Sequence, residues 1–244
     1  MELGDSIFER LSHFLGRPTI VHGIPVYSPT IDSIGDIGEI QYNVYLTLAT
    51  FDKESILKLM FGLSSDEYSE LENEDSYEVL TSIPVIANEL INALSFFIKD
   101  QVQYDQLSNS YLVHDKTFIN SKNYLELVKT IKEQNGVSES KKSIKFNSEI
   151  SKQKYERLLE LRKNSKKKND DQSLTLKDML SILCHAEGNG INIFNVGELT
   201  IYQVYEHFER LNVREQHKRL LRVWANGYLG KDEKLPEWMV KTKL

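Results

Sequence analysis

The stretch Leu199–Tyr228, LTIYQVYEHFERLNVREQHKRLLRVWANGY, carries the clearest helical pattern in the chain. Thr200 and Gln203 have the spacing of a capping box, in which each side chain binds a backbone amide at the start of a helix. Two apolar stripes follow at helical spacing, one formed by Ile201, Val204, Tyr205, Phe208 and Leu211 and the other by Leu220, Leu221, Val223 and Trp224. Gly227 then offers a left-handed residue after the last turn. The pattern predicts a helical hairpin bent near Asn212.

The same hairpin is the predicted partner-binding surface. Aromatic and arginine side chains are enriched at the energetic centres of protein interfaces. Tyr205 and Trp224 are needed in the apolar stripes, whereas Tyr202 lies off them, so we expect Tyr202 to contact a partner, with Arg210 and Arg214 at the rim. Tyr202→Ala is then expected to weaken association without unfolding, and Trp224→Ala to destabilise the domain by ~3–5 kcal/mol.

Upstream of this stretch, the chain predicts a mainly helical domain over residues 1–136. Residues 82–99 are the most apolar helical segment there, with Pro84 suited to the first helical turn. Residues 101–120 instead alternate apolar and polar side chains around two turn sequences, which is typical of an antiparallel β-hairpin or meander. The predicted fold class is therefore mainly α with one small antiparallel β element.

The distribution of charge predicts two domains joined by a linker. Residues 1–100 contain 5 Lys/Arg and 17 Asp/Glu, whereas residues 141–168 contain 11 Lys/Arg and 3 Glu. Residues 137–173 are polar and Lys-rich and end in a stretch without apolar residues, which favours a flexible basic linker. Residues 174–244 then form the predicted helical C-terminal domain.

Residues 64–80, SSDEYSELENEDSYEVL, combine many acids with tyrosines and leucines. The simpler interpretation is a pair of helical turns that pack Tyr68, Leu71, Tyr77 and Leu80 inward and leave the acids in solvent. The alternative is an acidic docking surface for a basic partner. Both interpretations remain open at this point.

The remaining chemistry-bearing residues do not form a recognisable catalytic or metal-binding pattern. Cys184 is the only cysteine, which excludes an intrachain disulfide, and its apolar surroundings in LSILCH predict a buried thiol. The six histidines lack the i, i+4 spacing of zinc proteases, and the glycine-rich segments lack the residues of nucleotide-binding loops. No apolar run approaches the ~20 residues of a membrane span. We therefore expect a non-enzymatic protein with no cofactor, no metal and no membrane partner.

Several segments taken in order resemble a known group of proteins. They are SIGDIGEIQYNVYLTLAT, the later FINSKNYLELVKTIKEQNG, a lysine-rich linker, and LTLKDMLSILCHAEGNGINIFNVGELTIYQVYEHFERL with a closing WANGY. This order resembles proteins from tail and baseplate gene clusters of phages of Gram-positive bacteria. The resemblance implies a tail assembly chaperone or a minor virion component, and it implies no catalytic residue.

Two function classes follow from these observations. The first is a protein–protein interaction component of phage tail or baseplate morphogenesis, present in the host cytoplasm or in the virion, that binds other tail or baseplate proteins or itself. The second is a nucleic-acid-binding adaptor that uses the Lys-rich segment 141–168, whose lysines would bind phosphates through counterion release. An acidic body beside that segment would repel the same phosphates, so the first class is preferred.

Overall fold

The computed structural model describes residues 10–137, 174–228 and 237–242. The predicted linker 137–173, and with it the Lys-rich segment 141–168, lies outside these residues except for Val137. The fold is mainly helical with two small antiparallel sheets. Residues 10–14 are helical, and the other elements follow as β1 (Thr19–Val21), β2 (Ile24–Val26), α1 (Ile31–Ile37), α2 (Glu39–Ala49), α3 (Lys53–Ser55) with a π-turn (Ile56–Met60), α4 (Ser65–Leu71), α5 (Ser76–Thr81), α6 (Pro84–Ile98), β3 (Val102–Asp105), β4 (Ser110–Val113), β5 (Lys116–Ile119), α7 (Tyr124–Gln134), α8 (Leu176–His185), a 3-10 turn (Val196–Glu198) and α9 (Ile201–Ala225).

Helix α6 lies at the centre of the main core, as its apolar sequence predicts. Pro84 occupies its first turn, where a missing amide hydrogen breaks no intrahelical bond. Its fully buried side chains include Leu90, Leu94 and Phe97, and the helix contacts α2, α5, β2 and β3. Removal of these large apolar side chains from water stabilises the folded state.

The predicted β element over residues 101–120 is a three-stranded antiparallel meander with the order β3-β4-β5. Its turns contain Asn109, His114 and Asp115 with positive φ angles, which Asn, Asp and His tolerate better than most residues. The prediction of a single β element was incomplete, because β1 and β2 form a second two-stranded sheet. Pro25 fits there because both of its strands are edges.

Two segments of the N-terminal half differ from what their local sequence suggests. The turn-rich segment around SIGDIG is helix α1, which Thr30 caps by accepting a hydrogen bond from the Ser33 amide. Regular helical spacing after Asp52 would place Leu59 and Met60 on the same buried face as Ile56, but the π-turn adds a residue and rotates that face. Leu57 is therefore buried, while Leu59 and Met60 are exposed.

The described C-terminal elements pack directly on the N-terminal core. Helix α8 contacts α9, the 3-10 turn contacts α1, and Ile201 at the start of α9 belongs to the main core cluster. A smaller cluster of Leu183, Ile191, Val196 and Val204 lies between α8 and α9. The division of the chain into two domains stays a prediction, and any boundary between them is crossed by this packing.

Candidate functional site

Helix α9 is fixed to the body at its N-terminal end. The predicted capping box is present, since the Thr200 amide donates to Gln203 Oε1 (2.9 Å) and the Gln203 amide donates to Thr200 Oγ1 (3.3 Å). The backbone also pairs with the N-terminal body, because the Ile201 amide donates to the Pro29 carbonyl at 2.9 Å. The first turn of α9 therefore has partners for amides that a helix start otherwise leaves unpaired.

The expectation that Tyr202 is exposed was wrong. Its side chain is 3 % exposed, and its ring meets the His13 ring edge-on with centroids 5.3 Å apart. The Tyr202 amide donates to Ser28 Oγ at 3.3 Å, and Ser28 Oγ donates to the Gln134 carbonyl at 2.9 Å. Burial raises the pKa of Tyr202 and lowers that of His13. Sequence spacing missed this contact because the body packs against a second face of α9.

Arg210 and Arg214 lie together, but both bind backbone carbonyls of their own chain. Arg210 Nη1 donates to the Val240 carbonyl at 2.7 Å and so holds the C-terminal residues 237–242 against α9. Arg214 Nη2 donates to the Glu187 carbonyl at 3.3 Å. With His207, they line a cavity of about 70 Å³. The two arginines thus have intrachain roles, and their predicted part in partner binding stays a prediction.

The second half of α9 differs from the predicted hairpin. The helix continues without interruption through Asn212 to Ala225, and Gly227 takes the expected positive φ of 72°. Trp224 was expected to be buried but is 56 % exposed, and Leu221, Val223 and Tyr228 are also exposed. We call residues 212–228 the α9 tip.

The α9 tip combines this apolar surface with positive charge. It contains four Lys/Arg residues and one acid, Glu215, which binds Lys218 with 2.8 Å between Nζ and Oε1. Arg214, Lys218 and Arg222 recur every four residues and so share one face of the helix. Exposed apolar side chains bordered by charge are typical of protein interaction surfaces.

A second exposed surface, of opposite charge, is formed by residues 59–78, which we call the acidic patch. It contains seven Asp/Glu and no Lys/Arg. The predicted helical turns are confirmed, since Tyr77 and Leu80 are fully buried and Tyr68 and Leu71 pack on the core. The acids face solvent, while Leu59, Met60 and Phe61 add exposed apolar surface at one end.

Lys53 holds the acidic patch in place from below. Its side chain is 5 % exposed, and Nζ donates to the carbonyls of Leu71, Glu72 and Glu74. The positive charge of this ammonium group interacts favourably with the negative, C-terminal end of the α4 helix dipole. The patch is therefore a fixed surface rather than a loose acidic loop, which sequence reasoning did not foresee.

A third feature is an apolar cleft of about 530 Å³ between α1 and α8. Ile34, Leu180 and Ile193 line it, and Cys184 lies at its wall. Cys184 is partly exposed, so the expectation of a buried thiol was wrong. Within residues 10–137, 174–228 and 237–242, no cluster of three or more His, Cys, Asp or Glu side chains has the arrangement of a metal site.

Comparison with known proteins gives one match. A family model described as the YomV second domain matches residues 165–243, about a third of the chain, and that family is phage-associated. The match contains α8 and α9 and overlaps the predicted C-terminal domain. No curated protein and no solved structure matches the chain. Among the described helices, none has both the length and the apolar content to cross a bilayer.

Proposed function

We propose that the protein is a non-enzymatic interaction component of phage tail or baseplate morphogenesis, either a tail assembly chaperone or a minor part of the virion. The observation that supports this proposal is the α9 tip, where Leu221, Trp224 and Tyr228 are exposed beside a basic helix face. The match to the YomV second domain supports the phage association. The order of sequence segments described above supports the assignment to tail or baseplate genes.

The α9 tip has the composition of an interface centre with a charged rim. Tryptophan, tyrosine and arginine are the side chains most enriched among residues that dominate binding energy. Trp224 and Tyr228 would bury apolar area against a partner, while Arg219 and Arg222 would meet acidic groups at the edge. The proposed partner-binding site is therefore at the C-terminal end of α9 and not at Tyr202, which is buried in the body.

Trp224→Asp is the variant that tests this assignment. It introduces a charge at the exposed apolar centre, and we expect it to abolish co-purification with tail or baseplate proteins from cells producing the phage. Ile40→Asp is the matched control, because Ile40 is 84 % exposed and belongs to α2 rather than to the tip. Equal retention of tail proteins by both variants and the unchanged protein would contradict a role for the tip.

Mass spectrometry of purified phage particles separates the two roles. A virion component is present in the particles, whereas an assembly chaperone is absent from them but co-purifies with a tail protein before assembly. A protein that is found in neither place overturns the proposal.

The alternative is a nucleic-acid-binding adaptor that uses the Lys-rich segment 141–168. The basic face of α9 favours it, because Arg214, Lys218 and Arg222 are spaced along one side of a helix. Binding through phosphates would weaken steeply with salt, with log K falling linearly against log salt concentration. Titration of the full chain with duplex and single-stranded nucleic acid at several salt concentrations distinguishes this alternative from the proposal.

A further inference from the structure

The α9 tip and the acidic patch are complementary in both charge and apolar character. The tip has four Lys/Arg and one Glu over residues 212–228, and the patch has seven Asp/Glu and no Lys/Arg over residues 59–78. Each surface also exposes large apolar side chains. When two surfaces carry opposite charges around apolar centres, the charges attract the two molecules to each other and determine the orientation in which they bind.

The apolar centres are comparable in kind. At the tip, Leu221 and Trp224 are 40 % and 56 % exposed and lie three residues apart, on one side of the helix. On the patch, Leu59 is 83 % exposed and is followed by Met60 and Phe61. Removal of exposed apolar groups of this size from water favours association.

The charges flank these centres on both surfaces. In the tip, Arg222 lies one position after Leu221, and Arg219 lies five residues before Trp224. On the patch, Glu70, Glu72 and Glu74 are exposed on or just after α4, which packs beside the π-turn that carries Leu59. Lys53 binds the backbone of the patch, and the tip continues the helix whose start is bound to the body.

We propose that the partner of the α9 tip is the acidic patch of a second copy of this chain. The two surfaces are different, so the contact is head-to-tail, and a pair of copies joined in this way still has one free tip and one free patch. Head-to-tail contacts of this kind close into rings or extend into filaments. The inference rests on the proposed function in using the α9 tip as the interaction surface, and it names the partner there.

Two substitutions separate the two surfaces. Trp224→Asp places an acid in the tip, where it repels the acidic patch, and Leu59→Asp adds an acid to the apolar end of the patch. Both positions are exposed, so neither change removes a core side chain. Ile40→Asp is again the control, with an exposed isoleucine on neither surface. Circular dichroism of each full-length variant establishes that the fold is kept.

Sedimentation velocity over a range of concentrations is the measurement. The unchanged protein and Ile40→Asp form species larger than a dimer, and raising the salt from 0.1 M to 1 M weakens their association at least tenfold, because the screening length shortens from about 10 Å to about 3 Å. Trp224→Asp and Leu59→Asp are each monomeric at the same concentrations. An equimolar mixture of the two forms a dimer and nothing larger, because it contains one intact tip and one intact patch for each pair.

Three outcomes overturn the inference. They are an unchanged protein that stays monomeric throughout, a Leu59→Asp variant that associates as well as the unchanged protein, and a mixture that contains only monomers. The second outcome would indicate a symmetric contact between tips. The proposed function can fail separately from this inference. A protein that self-associates through these surfaces but is found with no phage component refutes the proposed function and leaves the inference intact. A monomeric protein that binds a tail protein through Trp224 refutes the inference and leaves the proposed function intact.

Discussion

The two halves of helix α9 both carry apolar residues at helical spacing, but one half is buried and the other is exposed. Residues 201–211 place Ile201, Tyr202 and Val204 against the body, with exposed fractions of 0 %, 3 % and 0 %. Residues 212–225 carry Leu220, Leu221, Val223 and Trp224 at the same helical spacing, yet residues 221–225 are all exposed. Spacing thus predicts the helix but not its burial. Each added residue of a helix gains its own backbone hydrogen bond, so α9 extends beyond the body that anchors it.

The largest expected effect comes from truncating the buried aromatic side chain of the anchored half. Tyr202→Ala removes a buried ring that packs on His13, and we expect it to lower the free energy of unfolding by ~3–5 kcal/mol. Trp224→Ala removes an exposed ring and should change it by less than about 0.5 kcal/mol. Chemical denaturation of both variants measures the difference, and equal losses would show that the two halves are equally buried.

A smaller effect is expected from the polar link beneath the anchored half. Ser28 is 7 % exposed and joins the Tyr202 amide to the Gln134 carbonyl. Ser28→Ala leaves the buried amide and carbonyl without this partner and should lower the free energy of unfolding by about 1–3 kcal/mol. Ser181→Ala on the exposed side of α8 is the matched control. Indistinguishable denaturation curves for the two variants would exclude a role for Ser28 in anchoring α9.

The smallest effect concerns pH, and it also belongs to the anchored half. Burial lowers the pKa of His13, so in the unfolded chain this histidine binds its proton at a higher pH, near 6.5, than in the folded protein. The stability associated with neutral His13 is present above that value and is lost as the pH falls through 6.5 toward the folded pKa. His13→Gln should therefore reduce the fall in melting temperature between pH 7.5 and 5.5.

Part of that fall should remain in the variant, because burial also lowers the pKa of His207. The carboxylates of Glu67 and Asp178 accept hydrogen bonds that lower their pKa, so they act at lower pH and do not interfere. An unchanged pH dependence in His13→Gln would mean that His13 is not buried as the structure places it.

Several features were predictable from the sequence because local physics determines them. The Thr200 capping box and the first turn at Pro84 depend on residues within a few positions of one another. The β-meander was predictable for the same reason, since alternation and turn residues are adjacent in the chain. The candidate partner residues were harder to predict. Whether Tyr202 or Trp224 is buried depends on which distant segments of the chain pack against each of them.

The sequence by itself determined where α6 and α9 begin, that α6 forms the core, and that the chain divides into acidic and basic regions, because capping, periodicity and charge are local properties. Only the tertiary structure decided which apolar faces find a partner. Pro29 and Ser28 bind the start of α9 from more than 170 residues away, and Lys53 fixes the acidic patch through carbonyls about 20 residues further on. Residues 221–228 of the α9 tip, by contrast, are all exposed. Burial depends on what the rest of the chain brings to a surface, and a helical pattern carries no information about that.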